Sequence, residues 1–182
     1  MTTAVREREL TVDDLLAMED EGVGYELVDG QLVGRNLSME SSSTGAEFIR
    51  QLGNYVSPRR LGRLYGSDAT YRIFSTRRTG LRPDVSFIAM ERAPKTRVSD
   101  VAPDLVVEVV SPGDTAYEVR AKAAKWLDAG VRMVWVAWPE TLEVQVFRPD
   151  ASPRMLSADD EISGEDVIPG FTSAVRDLFP AS

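Results

Sequence analysis

A mixed α/β domain built on a central sheet is the fold class this sequence predicts, and three observations carry the prediction. "DLVVEVV" (104–110) is a run of branched apolar residues closed by Ser111-Pro112-Gly113, the pattern of a buried strand. A helix-patterned stretch and a second apolar strand, "VRMVWVAW" (131–138), follow it. Ahead of both lies "YELVDGQLVG" (25–34), two short apolar runs joined by Asp29-Gly30, a strong hairpin signal.

The elements follow in order. Thr11 precedes "VDDLLAMED", a short capped helix with acids in its first turn. After the hairpin, residues 43–57 place Phe48, Ile49, Leu52, Tyr55 and Val56 at helical spacing, with Pro58 just past the end. "RLYGSDATYRIF" and "RPDVSFIAM" read as strands with the polar turn "STRRTGL" between them, and 91–103 as a loop. Asp114 is placed to cap a helix whose body is Thr115 to Ala129, with Gly130 at its end. "LEVQVFR" pairs with "VRMVWVAW" through the Pro139-Glu140 turn. The tail, 150–182, reads as short strands and turns ending in the apolar "AVRDLF". Segments near 1–10 and 150–165 carry no firm pattern and are expected to be poorly ordered. At 182 residues the chain suits one domain, with an N-terminal helix and hairpin (11–35) and the C-terminal strands (150–182) as additions to its core.

Composition narrows the chemistry. There is no Cys and no His, which excludes disulfides, thiol nucleophiles, Ser-His-Asp triads and His-rich zinc sites. Acid–base or metal chemistry falls to Asp, Glu, Lys, Tyr or Arg, and oxygen ligation favours hard cations such as Mg²⁺ or Mn²⁺. No apolar run approaches the roughly 18 residues that span a bilayer, and the first residues lack a signal peptide's apolar core, so a cytoplasmic location is expected. The net charge of −8 is unevenly spread: residues 50–97 hold eleven Arg or Lys against three acids, a local balance of +8. That segment can be a footprint for a polyanion, or it can be neutralised by the acidic remainder of the chain. The Arg59-Arg60-Arg63 and Arg77-Arg78-Arg82 groups likewise stand as phosphate contacts or as solvated loop charges.

One residue does not fit its surroundings. Glu108 sits inside an apolar strand, where an unpartnered carboxylate costs several kcal/mol. Side chains alternate along a strand, so Asp104, Val106, Glu108 and Val110 share one face, as do Asp84, Ser86 and Ile88 in "PDVSFIA". If the two strands are neighbours, Asp84 and Glu108 lie side by side and repel unless one of them is protonated or a cation sits between them. A hard metal ion is the economical one, and a buried partner arginine, Arg72 or Arg82, is the alternative. On the helix that follows, Lys122 lies beside the apolar face set by Val119, Ala123, Trp126 and Leu127, whereas Lys125 lies opposite it. Lys122 can therefore reach the sheet edge carrying Glu108, or simply pair with Glu118 one turn away. Tyr117, Trp126, Trp135 and Trp138 read as core or interface aromatics.

Pro83-Asp84, with Glu108 twenty-four residues on in an apolar strand, resembles the PD-(D/E)XK nuclease superfamily. Five separated motifs in order, "YELVDGQLV", "RPDVSFI", "APDLVVEVVSPGDT", "KAAKWLDAGVRMVWVAWPETLEVQVFRP" and "DVIPGF" with "VRDLF", are similar to the restriction-endonuclease-like Uma2 family. The superfamily's usual lysine two residues after the glutamate is Val110 here, but Uma2 members carry that lysine on the helix, at Lys122. Their acidic residue in the first hairpin matches Glu26. Where members usually have a His near the start of the first long helix, this chain reads "SSSTGAEF".

The resemblance implies a restriction-endonuclease-like mixed sheet flanked by helices. It implies a Mg²⁺- or Mn²⁺-dependent endonuclease acting on DNA as a homodimer. Glu26, Asp84, Glu108 and Lys122 would be catalytic, with Asp84, Glu108 and the backbone carbonyl of Val109 as metal ligands. The alternative is a nucleic-acid-binding or regulatory module that keeps the fold without cleaving.

Overall fold

The computed structural model describes residues 9–18, 24–36, 38–96 and 98–181. Its centre is a six-stranded mixed sheet in the order β10-β9-β8-β7-β5-β3. The strands are β3 (Gly62–Tyr65), β5 (Val85–Ala89), β7 (Leu105–Val109), β8 (Met133–Trp138), β9 (Glu143–Phe147) and β10 (Arg154–Leu156). Only β7 and β8 pair in parallel in this sheet, and the helix α3 (Ala116–Asp128) makes the crossover that a parallel pair requires.

Strand alternation divides the core as the sequence predicts. Leu105, Val107 and Val109 face one side with Val85 and Phe87, where α2 (Met39–Arg59) packs Phe48, Leu52 and Val56. Val106 and Ile88 face the other side, covered by Val119, Ala123 and Trp126 of α3. The C-terminal strands β11 (Glu161–Ser163) and β12 (Thr172–Ala174) bring Ile162, Phe171, Val175 and Leu178 onto the α2 side.

A hairpin of β1 (Tyr25–Val28) and β2 (Gln31–Gly34) stands apart from the main sheet. Asp29 and Gly30 both have positive φ (50° and 85°), the turn that Asp-Gly favours between twisted strands. The hairpin docks through paired backbone bonds between Leu27 and Gly80, and from Gly30 N–H to the Arg78 carbonyl (2.8 Å). The short α1 (Val12–Ala17) closes over it, capped by Thr11 in a reciprocal pair with Asp14.

Several sequence expectations shift. The long helix begins at Met39, capped by Ser38 and Ser41, and takes Pro58 into its last turn before stopping at Arg60 in the left-handed conformation. Asp114 does not cap α3: Thr115 does, in a capping box with Glu118, while the Asp114 carboxylate accepts from Ser111 N–H (2.8 Å) and Asn36 (2.6 Å). "RLYGSDATYRIF" is broken by the turn at 66–69 into β3 and a two-residue β4 (Thr70–Tyr71). The loop 91–103 holds β6 (Val98–Ser99), paired with β4. Residues 150–165 are built into β10 and β11 rather than left irregular, and residues 1–8 lie outside the described ones. Among the described residues no helix is long and apolar enough to cross a membrane.

Candidate active site

Strand register brings the two misfit carboxylates together. Val85 pairs with Val107 in the antiparallel β5–β7 ladder, so Asp84, one residue earlier, falls opposite Glu108. Glu108 projects toward α3, where Lys122 lies one turn before Trp126, and Asp84 lines the same pocket as Lys122. The Lys122 Nζ is 3.0 Å from Glu108 Oε2 and 3.1 Å from Glu26 Oε1, so the hairpin's acid joins the same group. Asp84 Oδ2 accepts from Val109 N–H (2.7 Å), and Oδ1 faces the Arg35 guanidinium at 3.3 Å. Glu26 Oε1 also accepts from Arg82 N–H (2.6 Å), and Glu108 Oε1 from the indole N–H of Trp126 (2.7 Å). Glu26, Asp84, Glu108 and Lys122 line one pocket of about 220 Å³, opening beside Arg35 and Asn36.

Electrostatics follow from this placement. Burial pushes the Glu108 carboxyl up to about 8, and the neighbouring charges of Asp84 and Glu26 push the same way. Lys122 and the Trp126 N–H oppose that rise without cancelling it. Asp84 is also raised, by burial first, against the lowering influence of the Val109 N–H, Lys122 and Arg35. Lys122 moves upward despite the opposing effect of burial, because Glu108, Glu26 and Asp84 all favour its charged form. The glutamate in the apolar strand is thus 8% exposed and compensated by an ammonium, an indole and a partial shift toward neutrality.

The arginines expected as alternative partners do not pair with the two carboxylates. Arg72 turns to Asp100 (2.8 Å) and Asp13 (2.9 Å) at the surface, and the Arg82 guanidinium donates to Thr70 Oγ1 (2.9 Å). Arg35, which sequence reasoning passed over, is the one beside Asp84; it follows the hairpin, 49 residues from its partner, where no local pattern marks it. Trp126 is a core residue, as its place on the apolar helix face predicts, and its spacing of four from Lys122 is the sequence signal for its bond to Glu108. The Glu118 alternative for Lys122 is overturned, because Glu118 is engaged with Thr115 at the cap (2.7 and 3.0 Å). Lys125, expected in solvent, is half-buried beside Asp29 and Phe74 in a separate shallow pocket. Tyr117 is 82% exposed and so is no core residue.

Much of the basic segment is neutralised internally: Arg50 by Glu47, Arg72 by Asp13 and Asp100, Arg78 by Glu9, Arg92 by Asp104. Arg59, Arg60, Arg63 and Arg77 remain exposed, with Arg59 stacked 4.0 Å over the Tyr55 ring. The cations that line the carboxylate pocket are Arg35 and Lys122.

The donor set suits a hard cation. Its ligand atoms are all oxygens, and two of its carboxyls are held toward neutrality, which a cation would reverse. Val110 N–H donates to the Ala137 carbonyl (2.9 Å) on β8, so the Val109 carbonyl of the same trans peptide points the other way, to the Asp84 side. No closed cage exists: among the described residues no three His, Cys, Asp or Glu are gathered to hold a metal ion. Mg²⁺ commonly needs only one or two carboxylates beside water and substrate phosphate, and Asp84, Glu108 and the Val109 carbonyl fit that lighter requirement.

Comparison with known proteins agrees with this fold. The Uma2 family model, described as "putative restriction endonuclease", matches residues 12–176. Among solved structures, the chain resembles the crystal structure of a "putative nuclease belonging to DUF820" from Anabaena variabilis, with a TM-score of 0.81 at 21% identity. The match covers 93% of this chain and 97% of the other, and at that identity it bears on the fold alone. None of the curated proteins compared with this sequence matches it.

Proposed function

The chain belongs to the Uma2 restriction-endonuclease family, and from that premise we propose that it is a divalent-cation-dependent endonuclease hydrolysing phosphodiester bonds in DNA. The observation that carries the reading is Asp84 set opposite Glu108, with Lys122 bridging Glu108 to Glu26 in the same pocket. Asp84, Glu108 and the Val109 carbonyl are the groups that would hold Mg²⁺ or Mn²⁺. When bound, such an ion supplies Lewis acidity and lowers the pKa of a water molecule at the phosphorus. Lys122 and Arg35 place two positive charges where a phosphodiester's negative charge grows during attack. The Trp126 N–H fixes one oxygen of Glu108 and leaves Oε2 as the one facing Lys122. Glu26 also holds Lys122, so the ammonium is positioned before substrate arrives.

Cutting both strands calls for two copies of the chain. The buried Trp126 and Trp135 offer no surface for that contact, whereas Met155 on the edge strand β10 is exposed. A second reading, a module that keeps the fold without cleaving, is favoured by one observation: Lys122 already serves as counter-ion between Glu26 and Glu108.

Purified protein, plasmid DNA and Mg²⁺ or Mn²⁺ separate the two. Nicking that disappears in both Asp84→Ala and Glu108→Ala supports the nuclease. No cleavage of single-stranded DNA, duplex DNA or RNA supports the non-cleaving module.

A further inference from the structure

A second cleft, of about 230 Å³, adjoins the carboxylate pocket, and Val110 and Asp114 line both. It lies at the carboxyl ends of β7 and β8, the parallel pair of the central sheet, where open α/β sheets commonly take ligands. Pro112, Pro139 and the half-buried indole of Trp138 give it apolar walls, and Glu40 and Glu140 give it carboxylates. Ser111 also lines it.

Two polar atoms of this lining have no partner. Among the described residues five buried side-chain atoms lack a hydrogen bond, and two of them, Ser111 Oγ and Trp138 Nε1, are carried by residues that line this one cleft. A buried donor left unbonded is costly, so two such donors on the lining of one cleft favour a ligand that brings them an acceptor. The carboxylates argue for the opposite kind of group beside it. Glu40 and Glu140 have no ion-pair partner among the described residues, and together with Asp114 they repel a phosphate while accepting amino hydrogens.

One ligand class combines these demands: a flat heterocycle with apolar faces, ring acceptors for the hydroxyl and indole donors, and an exocyclic amino group for a carboxylate. We propose that the cleft is a nucleobase subsite, taking an amino-bearing base (cytosine, adenine or guanine) next to the phosphodiester held in the carboxylate pocket. The inference rests on the nuclease reading for the identity of its ligand. Acceptance of a cytosine amino group by Glu, and stacking of a base on an aromatic ring, are established modes of base recognition. Base selection would then come from the β7–α3 and β8–β9 turns, and phosphate handling from the carboxylate pocket.

The test reads the indole N–H resonances of Trp126, Trp135 and Trp138 in the intact protein by two-dimensional NMR, assigned with Trp→Phe variants. Phosphate-free deoxynucleosides are the probes, in EDTA, so that no cleavage or phosphate contact contributes. Deoxycytidine, deoxyadenosine or deoxyguanosine should shift the Trp138 resonance saturably and leave Trp126 and Trp135 in place. Thymidine, without the amino group, should bind more weakly, and Ser111→Ala should lower affinity about tenfold, the equivalent of one lost hydrogen bond. A Trp138 resonance unmoved by all four nucleosides overturns the proposal, and so does an equal shift produced by spermidine, which would mark a site for cations. The outcomes also separate the two readings. Cleavage without nucleoside binding sinks the subsite alone, and nucleoside binding without cleavage sinks the nuclease alone.

Discussion

Replacing Glu108 by Gln removes a charge that the fold holds at a disadvantage, and the size of the effect can be worked from its surroundings. Burial, Asp84 and Glu26 together lift its carboxyl from the ordinary 4.5 to about 8. At about 1.4 kcal/mol for each pKa unit, that rise corresponds to roughly 5 kcal/mol between the neutral and fully ionised states. The sign follows from linkage. A carboxyl whose folded pKa is raised contributes stability that is fully present below 4.5 and lost as pH climbs through about 8. Glu108→Gln keeps the side chain's shape and an acceptor for the Trp126 N–H, while Lys122 keeps Glu26. Near pH 4 the variant and the parent should therefore unfold at similar denaturant concentrations. By pH 9 the variant should be the more stable by several kcal/mol, a Tm gain on the order of 10 °C for a chain of this size. Urea unfolding in EDTA across pH 4–9 measures it. Parallel curves, or a variant less stable than the parent at high pH, would refute the assignment of Glu108 as a strained, charge-repelled group.

Three further outcomes follow from the same network. Trp126→Phe removes the N–H from Glu108 Oε1, so the Glu108 pKa should rise further and Mn²⁺ affinity should fall, read by calorimetry without any substrate. Lys122→Met leaves Glu26 and Glu108 facing each other. Its melting temperature at pH 8 should drop, and added Mn²⁺ should restore more of it than in the parent. Asp104, 1% exposed, accepts from Ala89 N–H (2.8 Å), Arg92 (2.5 Å) and Arg132 (3.4 Å), at the opposite end of β7 from the pocket. Asp104→Ala should cost about 3–5 kcal/mol in chemical denaturation, the range for breaking a buried ion pair, while leaving Mn²⁺ affinity unchanged.

The carboxylate pair was readable in part: strand parity gives the face of each acid within its own strand, and the Val85–Val107 register then sets residue 84 opposite 108. Lys122 was readable for a similar reason, since helix spacing put it beside the face carrying Trp126 and within reach of the sheet. Asp29-Gly30 fixed its hairpin because few dipeptides accept two consecutive left-handed residues. What escaped depends on separation along the chain. Arg35 meets Asp84 only after the hairpin has docked against the 78–80 turn, and nothing within a window of neighbouring residues encodes that docking. Asp114 failed as a predicted cap because two adjacent residues, Asp114 and Thr115, are both good caps. The choice went to Thr115 once Asn36 and Ser111 engaged the aspartate. Pro58 misled because a proline near a helix end can fall inside the last turn, a displacement of boundaries rather than of elements.

Glu26 arrives on a hairpin that shares no ladder with the main sheet. A two-stranded ribbon is marginal by itself, so its position depends on contacts that include Lys122, Arg35 and Asn36 at the pocket and the backbone bonds at Gly80 and Gly30. Three of those five are the pocket's own charged and polar groups. A ligand there would compete with Glu26 for Lys122 and with Asp84 for Arg35, and so would weaken the contacts that hold the element delivering the third acid. Binding at the carboxylates should therefore be detectable as faster exchange of the hairpin's amide protons.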